Sequence, residues 1–397
     1  MTASERGFGP LPSTDSEQAS LTSVVLCTTG QTRNLARAIR AVLAQTWSAL
    51  ELVVVDNRPG SGNALDVVAG FDDARVRYVA EPVHGLSTAR NTGVRHARGG
   101  IIAFTDDDCV PDSDWITTLR GTFDCYPRIS CVTGKTVAFG EMTLWESLFE
   151  EFGSFDRGDE TVIWRKTRSA ATSGTAVGHT AVGHAAAATE SVQQPVSEST
   201  SESTGKTTAP EEQLPAADGS HSSIYPYTGV FGSGNNMAFR AEILAQAGYF
   251  DEALGAGTPS GGGEDLDMFI RLVQADRILA FEPAALVRHQ HRGSGKALRT
   301  QIRNYGSGLS AMMTKQLLSD RTSWKLILRR LGPGLSHLVR PTSVKNSRKS
   351  PSYPVQLTVT EWYGVALGPW LYLRGRWAVR RRQRVGGTTS APTTGVG

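Results

Sequence analysis

No stretch of this chain reaches the roughly eighteen consecutive apolar residues that a bilayer-spanning helix needs, so no transmembrane span is expected. The first residues lack a basic-then-apolar leader, so no signal peptide is expected either. Cysteine is scarce. Cys27, Cys109, Cys125 and Cys131 form no C-x-x-C pair, and no histidine stands at zinc-finger spacing from them. That argues against structural zinc and suits a reducing cytoplasm. Where a dinucleotide fold would carry G-x-G-x-x-G after its first strand, the chain has Thr28-Thr29-Gly30, which disfavours NAD and FAD. The P-loop pattern is missing from every expected strand-to-helix junction. Large apolar side chains are almost wanting from residues 167–223, a stretch rich in Ser, Thr, Ala, Gly and Glu with a short Ala-Val-Gly-His repeat. Such a segment buries too little surface to offset chain entropy, so a disordered, low-complexity insertion is expected there. Finally, acids are nearly missing from the far end. Between Lys296 and Arg384, eighteen Lys and Arg stand against Asp320 and Glu361 alone, although the whole chain has a net charge of only +3.

What remains is the profile of an ordinary globular protein of 397 residues, 39% hydrophobic and 20% charged. Its organising stretch is Ile101-Ile102-Ala103-Phe104-Thr105-Asp106-Asp107-Asp108, a short buried strand running into three consecutive carboxylates. Side-by-side carboxylates repel one another and persist where a cation or strong donors offset the repulsion. An acidic turn before Trp115 is the plainer alternative. Upstream, Ser23–Cys27, Leu50–Val55 and Val76–Val79 read as strands separated by helical patterns, and Gly85–Gly93 is a glycine-bounded loop entering another helix. Strand and helix in alternation imply an α/β fold, a mostly parallel central sheet with helices on both faces. Ligands in such sheets sit beyond the C-terminal strand ends, where the acids are. Downstream come Gly232-Ser233-Gly234-Asn235-Asn236, a helix Ala241–Ala247 ending at Gly248, and the run Gly261-Gly262-Gly263-Glu264-Asp265-Leu266-Asp267 opening another helix. A strand Ile278–Phe281 follows, and a last strand end carries His289 and His291.

In order and spacing, these segments resemble the family 2 glycosyltransferases of the GT-A fold. The matching pieces are Ser-Val-Val-Leu-Cys-Thr, Val-Val-Val-Asp-Asn, Gly-Leu-Ser-Thr-Ala-Arg-Asn-Thr-Gly, Phe-Thr-Asp-Asp-Asp, Gly-Ser-Gly-Asn-Asn-Met-Ala-Phe-Arg, Gly-Tyr-Phe-Asp and Gly-Gly-Glu-Asp-Leu-Asp. The resemblance implies an inverting enzyme that moves a sugar from a nucleotide-diphosphate sugar to a hydroxyl acceptor, glycan or lipid-linked. It implies that Thr28 and Asp56 hold base and ribose, and that Arg90 meets the nucleotide or its diphosphate. Asp106 and Asp108 form a D-x-D for Mn2+ or Mg2+, with Asp106 on ribose or metal-bound water and Asp107 in support. His289 completes the metal shell, with His291 as its rival, and imidazole favours Mn2+. Asp265 is the implied general base and Glu264 the second choice.

The expected domain plan follows. Residues 1–20 are a loose tail, 21–310 a catalytic domain interrupted by the insertion 167–223, 311–384 a basic amphipathic extension, and 385–397 a second tail. Two short helices broken at Gly332-Pro333-Gly334 are expected in the extension, then aromatics Trp362, Tyr363, Trp370 and Trp377 beside Arg374, Arg376 and Arg380–Arg382. Aromatic residues beside cations suit an anionic membrane surface, giving a peripheral enzyme at the cytoplasmic face. Packing of this segment on the catalytic domain is the alternative. Nucleic acid is not expected, since no recognised binding fold accompanies the charge.

Overall fold

A computed structural model describes residues 19–153, 157–167, 176–182, 231–291, 293–319 and 349–387, with a few single positions between 332 and 346. Most of the two tails, most of the insertion and most of the stretch 320–348 lie outside the described residues.

The first half is three strand-helix repeats and a fourth strand: β1 (Thr22–Thr28), α1 (Thr32–Leu43), β2 (Leu50–Asp56), α2 (Asn63–Ala69), β3 (Val76–Ala80), α3 (Leu86–His96) and β4 (Ile101–Asp106). β-Branched runs such as Leu-Val-Val-Val make β1 and β2, which are buried on both faces as central parallel strands are, while the edge strand β3 is only half-buried. Alternate side chains feed two cores. Val24, Leu26, Leu52 and Val54 meet Leu35, Ile39 and Val42 of α1 on one face. Val25, Val53, Val55 and Phe104 meet Ala89 and Val94 of α3 on the other. Helices therefore cover both faces, as expected.

The second half comprises β5 (Cys109–Pro111), α4 (Trp115–Cys125), β6 (Ile129–Ala138), α5 (Leu144–Gly153), β7 (Thr161–Thr167), β8 (Ala176–Val182), β9 (Met237–Arg240), α6 (Ala241–Ala247), α7 (Glu264–Gln274) and β10 (Ile278–His289). The sheet runs β3-β2-β1-β4-β9-β6-β10-β7-β8, with β5 beside β10. It is parallel through β3-β2-β1-β4 and mixed beyond, because β9 inserts antiparallel between β4 and β6. As read from the sequence, α6 ends at Gly248, whose positive φ of 82° suits a left-handed cap.

Three details differ from the sequence reading. Ala176–Val182, inside the stretch expected to be disordered, is a strand paired antiparallel with β7. An edge strand offers backbone partners and does not require large apolar side chains. The two strands expected in 278–292 are one, with a register shift between Glu282 and Val287. The boundary expected at residue 310 falls inside a continuous helix, α8 (Gly295–Ser319), on which a long helix, α9 (Val355–Gly387), packs.

Asn236 ties the halves together. Its side chain accepts from Trp115 Nε1 at 2.8 Å and donates to the carbonyls of Lys135 at 2.9 Å and Ala285 at 2.8 Å. Asn236 and Trp115 are both fully buried. Asn236→Ala would strand one donor and two acceptors in the core, so it is expected to cost about 2–4 kcal/mol in urea unfolding. A change below about 0.5 kcal/mol, within the range of a neutral surface change, would contradict this role.

Candidate active site

The parallel register lines up the polar strand ends. Thr28 faces Asp56, and Cys27 faces Asp106, so Thr28, Asp56 and Asp106 share one edge of the sheet. Each has a defined setting. Asp56 is fully buried and accepts from Arg58 N and from the Tyr78 hydroxyl, each at 2.9 Å. Thr28 Oγ1 donates to Asp107 Oδ2 at 2.5 Å and accepts from Gly30 N at 3.0 Å, so Asp107 braces the loop after β1. Burial pushes the Asp107 carboxyl up to about 7, against the pull of the Thr28 bond. Cys27 is a buried thiol pushed up to about 12 by its burial.

The β5–β10 pairing builds the second cluster. Its antiparallel register sets His289 opposite Cys109, and Gln290 N donates to the Asp108 carbonyl at 2.9 Å. His289 Nε2 consequently lies 3.4 Å from Asp108 Oδ1. His291 meets a different carboxylate. Its Nδ1 is 3.2 Å from His289 Nδ1, and its Nε2 is 2.8 Å from Glu150 Oε1 on α5. Glu150 thus orients His291, which orients His289. The sequence reading missed Glu150, and no motif spacing marks it.

These donors fit a divalent cation. Asp108, Cys109 and His289 offer atoms within 4.8 Å of one another. Burial holds the Cys109 thiol well above its ordinary range, and a soft sulfur donor is poorly matched to Mg2+ or Mn2+, which take oxygen ligands. That leaves the carboxylate and the imidazole. Asp106 is nearby; burial raises its pKa, Arg90 lowers it and the Asp108 charge raises it. An added cation would relieve that like-charge crowding.

Arg90 takes a place the sequence did not indicate. Expected to meet the nucleotide or its diphosphate, it is 2% exposed and held by groups of the protein itself. Its guanidinium bonds Glu264 Oε1 at 2.9 Å and the Gly234 carbonyl at 2.8 Å, and lies 3.5 Å from Asp106 Oδ1. It is a brace between the strand-end acids and the first turn of α7. A Cβ on Gly234 would sit 2.9 Å from an Arg90 nitrogen, so only glycine lets the chain pass so close.

Glu264 and Asp265 open α7 behind Gly263, which occupies the capping position in place of either acid. They differ in setting. Glu264 is buried and paired to Arg90, and its carboxyl is pushed up, first by burial and then by Asp265 beside it. Asp265 is half-buried, accepting from Gly234 N at 2.9 Å and from Leu266 N at 2.7 Å. Asp265 is therefore the more open carboxylate.

Residues 23–184 match the sequence profile of "Glycosyl transferase family 2". Over those residues the chain is similar to that family. Over 119 residues it is 34% identical to a glucosyl-dolichyl phosphate glucuronosyltransferase of Haloferax volcanii, a match covering 29% of this chain and 38% of that one. Over 89 residues it is 34% identical to a UDP-Glc:alpha-D-GlcNAc-diphosphoundecaprenol beta-1,3-glucosyltransferase of Escherichia coli, covering 22% and 35%. The chain thus spans little more than a third of the length of these relatives. A solved mannosyltransferase of Pyrobaculum calidifontis, in complex with GDP-Man and Mn2+, is similar at 13% identity and a TM-score of 0.45, over 94% of this chain and 76% of that one.

An acid whose folded pKa is raised stabilises the folded protein below its ordinary pKa, and that contribution is lost as pH rises through the folded value. Glu264 is such an acid. In chelator, the stability of Glu264→Gln relative to the unaltered protein is expected to improve as pH rises from about 5 to about 7.5, read by urea unfolding across pH. A pH-independent difference would show that Glu264 is ionised throughout.

Proposed function

We propose that this protein is a metal-dependent, inverting glycosyltransferase that moves a sugar from a nucleotide-diphosphate donor to a hydroxyl. The observation that carries this reading is the meeting of Asp108 with His289 at the strand ends, across the Arg90 brace from Asp265. Asp56 and Thr28 mark the base and ribose side, at the ends of β2 and β1. Asp108 and His289 would hold Mn2+ or Mg2+, with Asp106 beside them; imidazole favours Mn2+. When bound, such an ion offsets charge gathering on the leaving diphosphate.

Asp265 does the complementary work on the acceptor. Its carboxylate takes the proton of the attacking hydroxyl as that oxygen bonds to the anomeric carbon. The bond from that carbon to the diphosphate oxygen breaks in the same displacement, with its electron pair leaving on the phosphate. One displacement inverts the anomeric centre. Glu264, tied to Arg90, positions the start of α7 and is the weaker choice for base. The two relatives named for lipid-linked sugars support an acceptor of that kind. On this reading the enzyme works in cell-envelope or polysaccharide synthesis, at the inner face of the plasma membrane.

Asp108→Asn is expected to abolish the Mn2+ dependence of UDP or GDP binding in calorimetry, because an amide brings no charge to the cation. Retained Mn2+-dependent binding would remove Asp108 from the site. Asp265→Asn is expected to leave donor affinity near that of the unaltered protein and to cut turnover roughly a hundredfold or more, the usual scale of a general base. Release of free nucleoside diphosphate is the readout. An active Asp265→Asn beside an inactive Glu264→Gln would exchange the two roles.

A further inference from the structure

Helix α9 presents an apolar stripe to solvent. At 3.6 residues per turn, Val359, Trp362, Tyr363, Trp370, Leu373 and Trp377 share one face. All six are exposed, from 42% at Trp362 to 61% at Trp377. Between Val359 and Trp377 the stripe is about 27 Å long at 1.5 Å per residue. Isolated exposed apolar residues need no explanation, but a contiguous aromatic stripe does.

The opposite face of α9 is committed to α8 and to the domain beneath it. Cβ atoms on Gly364 and Gly368 would collide with the backbone of Arg303 and Ser307, so the two helices touch main chain to main chain. Tyr372 is buried and donates to Asp251 Oδ2 at 3.1 Å. The helix cannot turn its aromatic residues inward without losing these contacts.

Charge then selects the partner. The acid of this helix, Glu361, is buried at 3% exposure against α8. Arg374, Arg376, Arg380, Arg381, Arg382 and Arg384 follow or flank the aromatics. The Arg374 and Arg381 guanidinium groups lie over the Trp370 and Trp377 rings, at 5.6 and 5.5 Å. The outward face is therefore apolar and cationic. A second copy laid parallel on the same face would oppose arginine to arginine, and one laid antiparallel would bring no acid to the arginine-rich end, whereas anionic headgroups over acyl chains complement both features. No described helix is long and apolar enough to cross a membrane.

We propose that α9 docks the protein side-on to an anionic lipid surface, with Trp362, Trp370 and Trp377 at the headgroup boundary and the arginines among lipid phosphates. The docking argument does not depend on glycosyl transfer. If the proposed function also holds, it fixes which side of the site faces the bilayer. Gly308 of α8 abuts Gly262 and Gly263, the residues just before Glu264 and Asp265. Two packed helices, α9 and α8, then lie between the bound surface and the loop that carries the proposed base, which puts that loop on the lipid side of the domain for a lipid-linked acceptor.

Flotation of the full chain with phosphatidylcholine vesicles, with and without phosphatidylglycerol, tests the proposal in the absence of any nucleotide or sugar. Failure here and failure of the transferase reading are thereby separable. The protein is expected to float with the anionic vesicles at low salt and to be released at high salt. Replacing Arg380, Arg381 and Arg382 with Ser should weaken binding roughly a hundredfold, at about fivefold per cation near such a surface. The combined Trp362→Ser, Trp370→Ser and Trp377→Ser variant should lose flotation at low salt with its thermal unfolding unchanged, since these rings are exposed. Three results would overturn the proposal: no binding of the unaltered chain to anionic vesicles, undiminished binding of the tryptophan variant, or self-association abolished by that variant without vesicle binding. The last would assign the stripe to a second copy.

Discussion

The Arg90 guanidinium lies among Asp106, Glu264 and the Gly234 carbonyl, and the two acidic segments of the site meet through it. Asp106 ends β4 in the first half of the chain; Glu264 begins α7 in the second. Without the cation, the buried Glu264 carboxylate and the partly exposed Asp106 carboxylate would face one another with nothing to offset them. A buried pair broken from one side typically costs about 3–5 kcal/mol, because the partner charge remains. The same side chain explains the bare Gly234, since a Cβ there would strike it. Gly234 N in turn holds Asp265, so one cation sets the attitude of the more open carboxylate without touching it.

A second constraint acts through sheet register. β5 is three residues long, and its antiparallel pairing with β10 brings His289 to Asp108. Strand pairing has a period of two, so a shift of one residue would turn His289 to the other face and put Gln290 in its place. Glu150 and His291 back the imidazole from behind, so its position depends on α5 as well as on the strand. Partners of this kind fix the tautomer and ring orientation of a ligating histidine.

Much of this was legible in the sequence. The strand ends Thr28, Asp56 and Asp106 were, because buried β-branched runs stop at polar residues. The cap at Gly248 was, because an apolar helical period ends on glycine. Arg90 was legible as a cation near the site but its protein partners were not: an arginine in a helix shows its charge in the sequence, not its burial. His289 could not be told from His291, since both belong to the same extended segment and the choice depends on a pairing with β5 some 180 residues away. Glu150 had no local signal at all. The mixed half of the sheet was hidden for a similar reason, since β9 inserts beside β4 from beyond the low-complexity stretch. The basic extension was legible as apolar and cationic. Which face of α9 points outward depended on Gly364 and Gly368, whose value is close packing rather than flexibility.

The central claim is that Asp108 and His289 are brought together to hold a metal ion. The most direct measurement is pulsed electron paramagnetic resonance of Mn2+ bound to the protein with a nucleoside diphosphate. One imidazole nitrogen coupling is expected, lost in His289→Gln and kept in His291→Gln. A spectrum without nitrogen coupling, or one that His289→Gln leaves unchanged, would contradict the account.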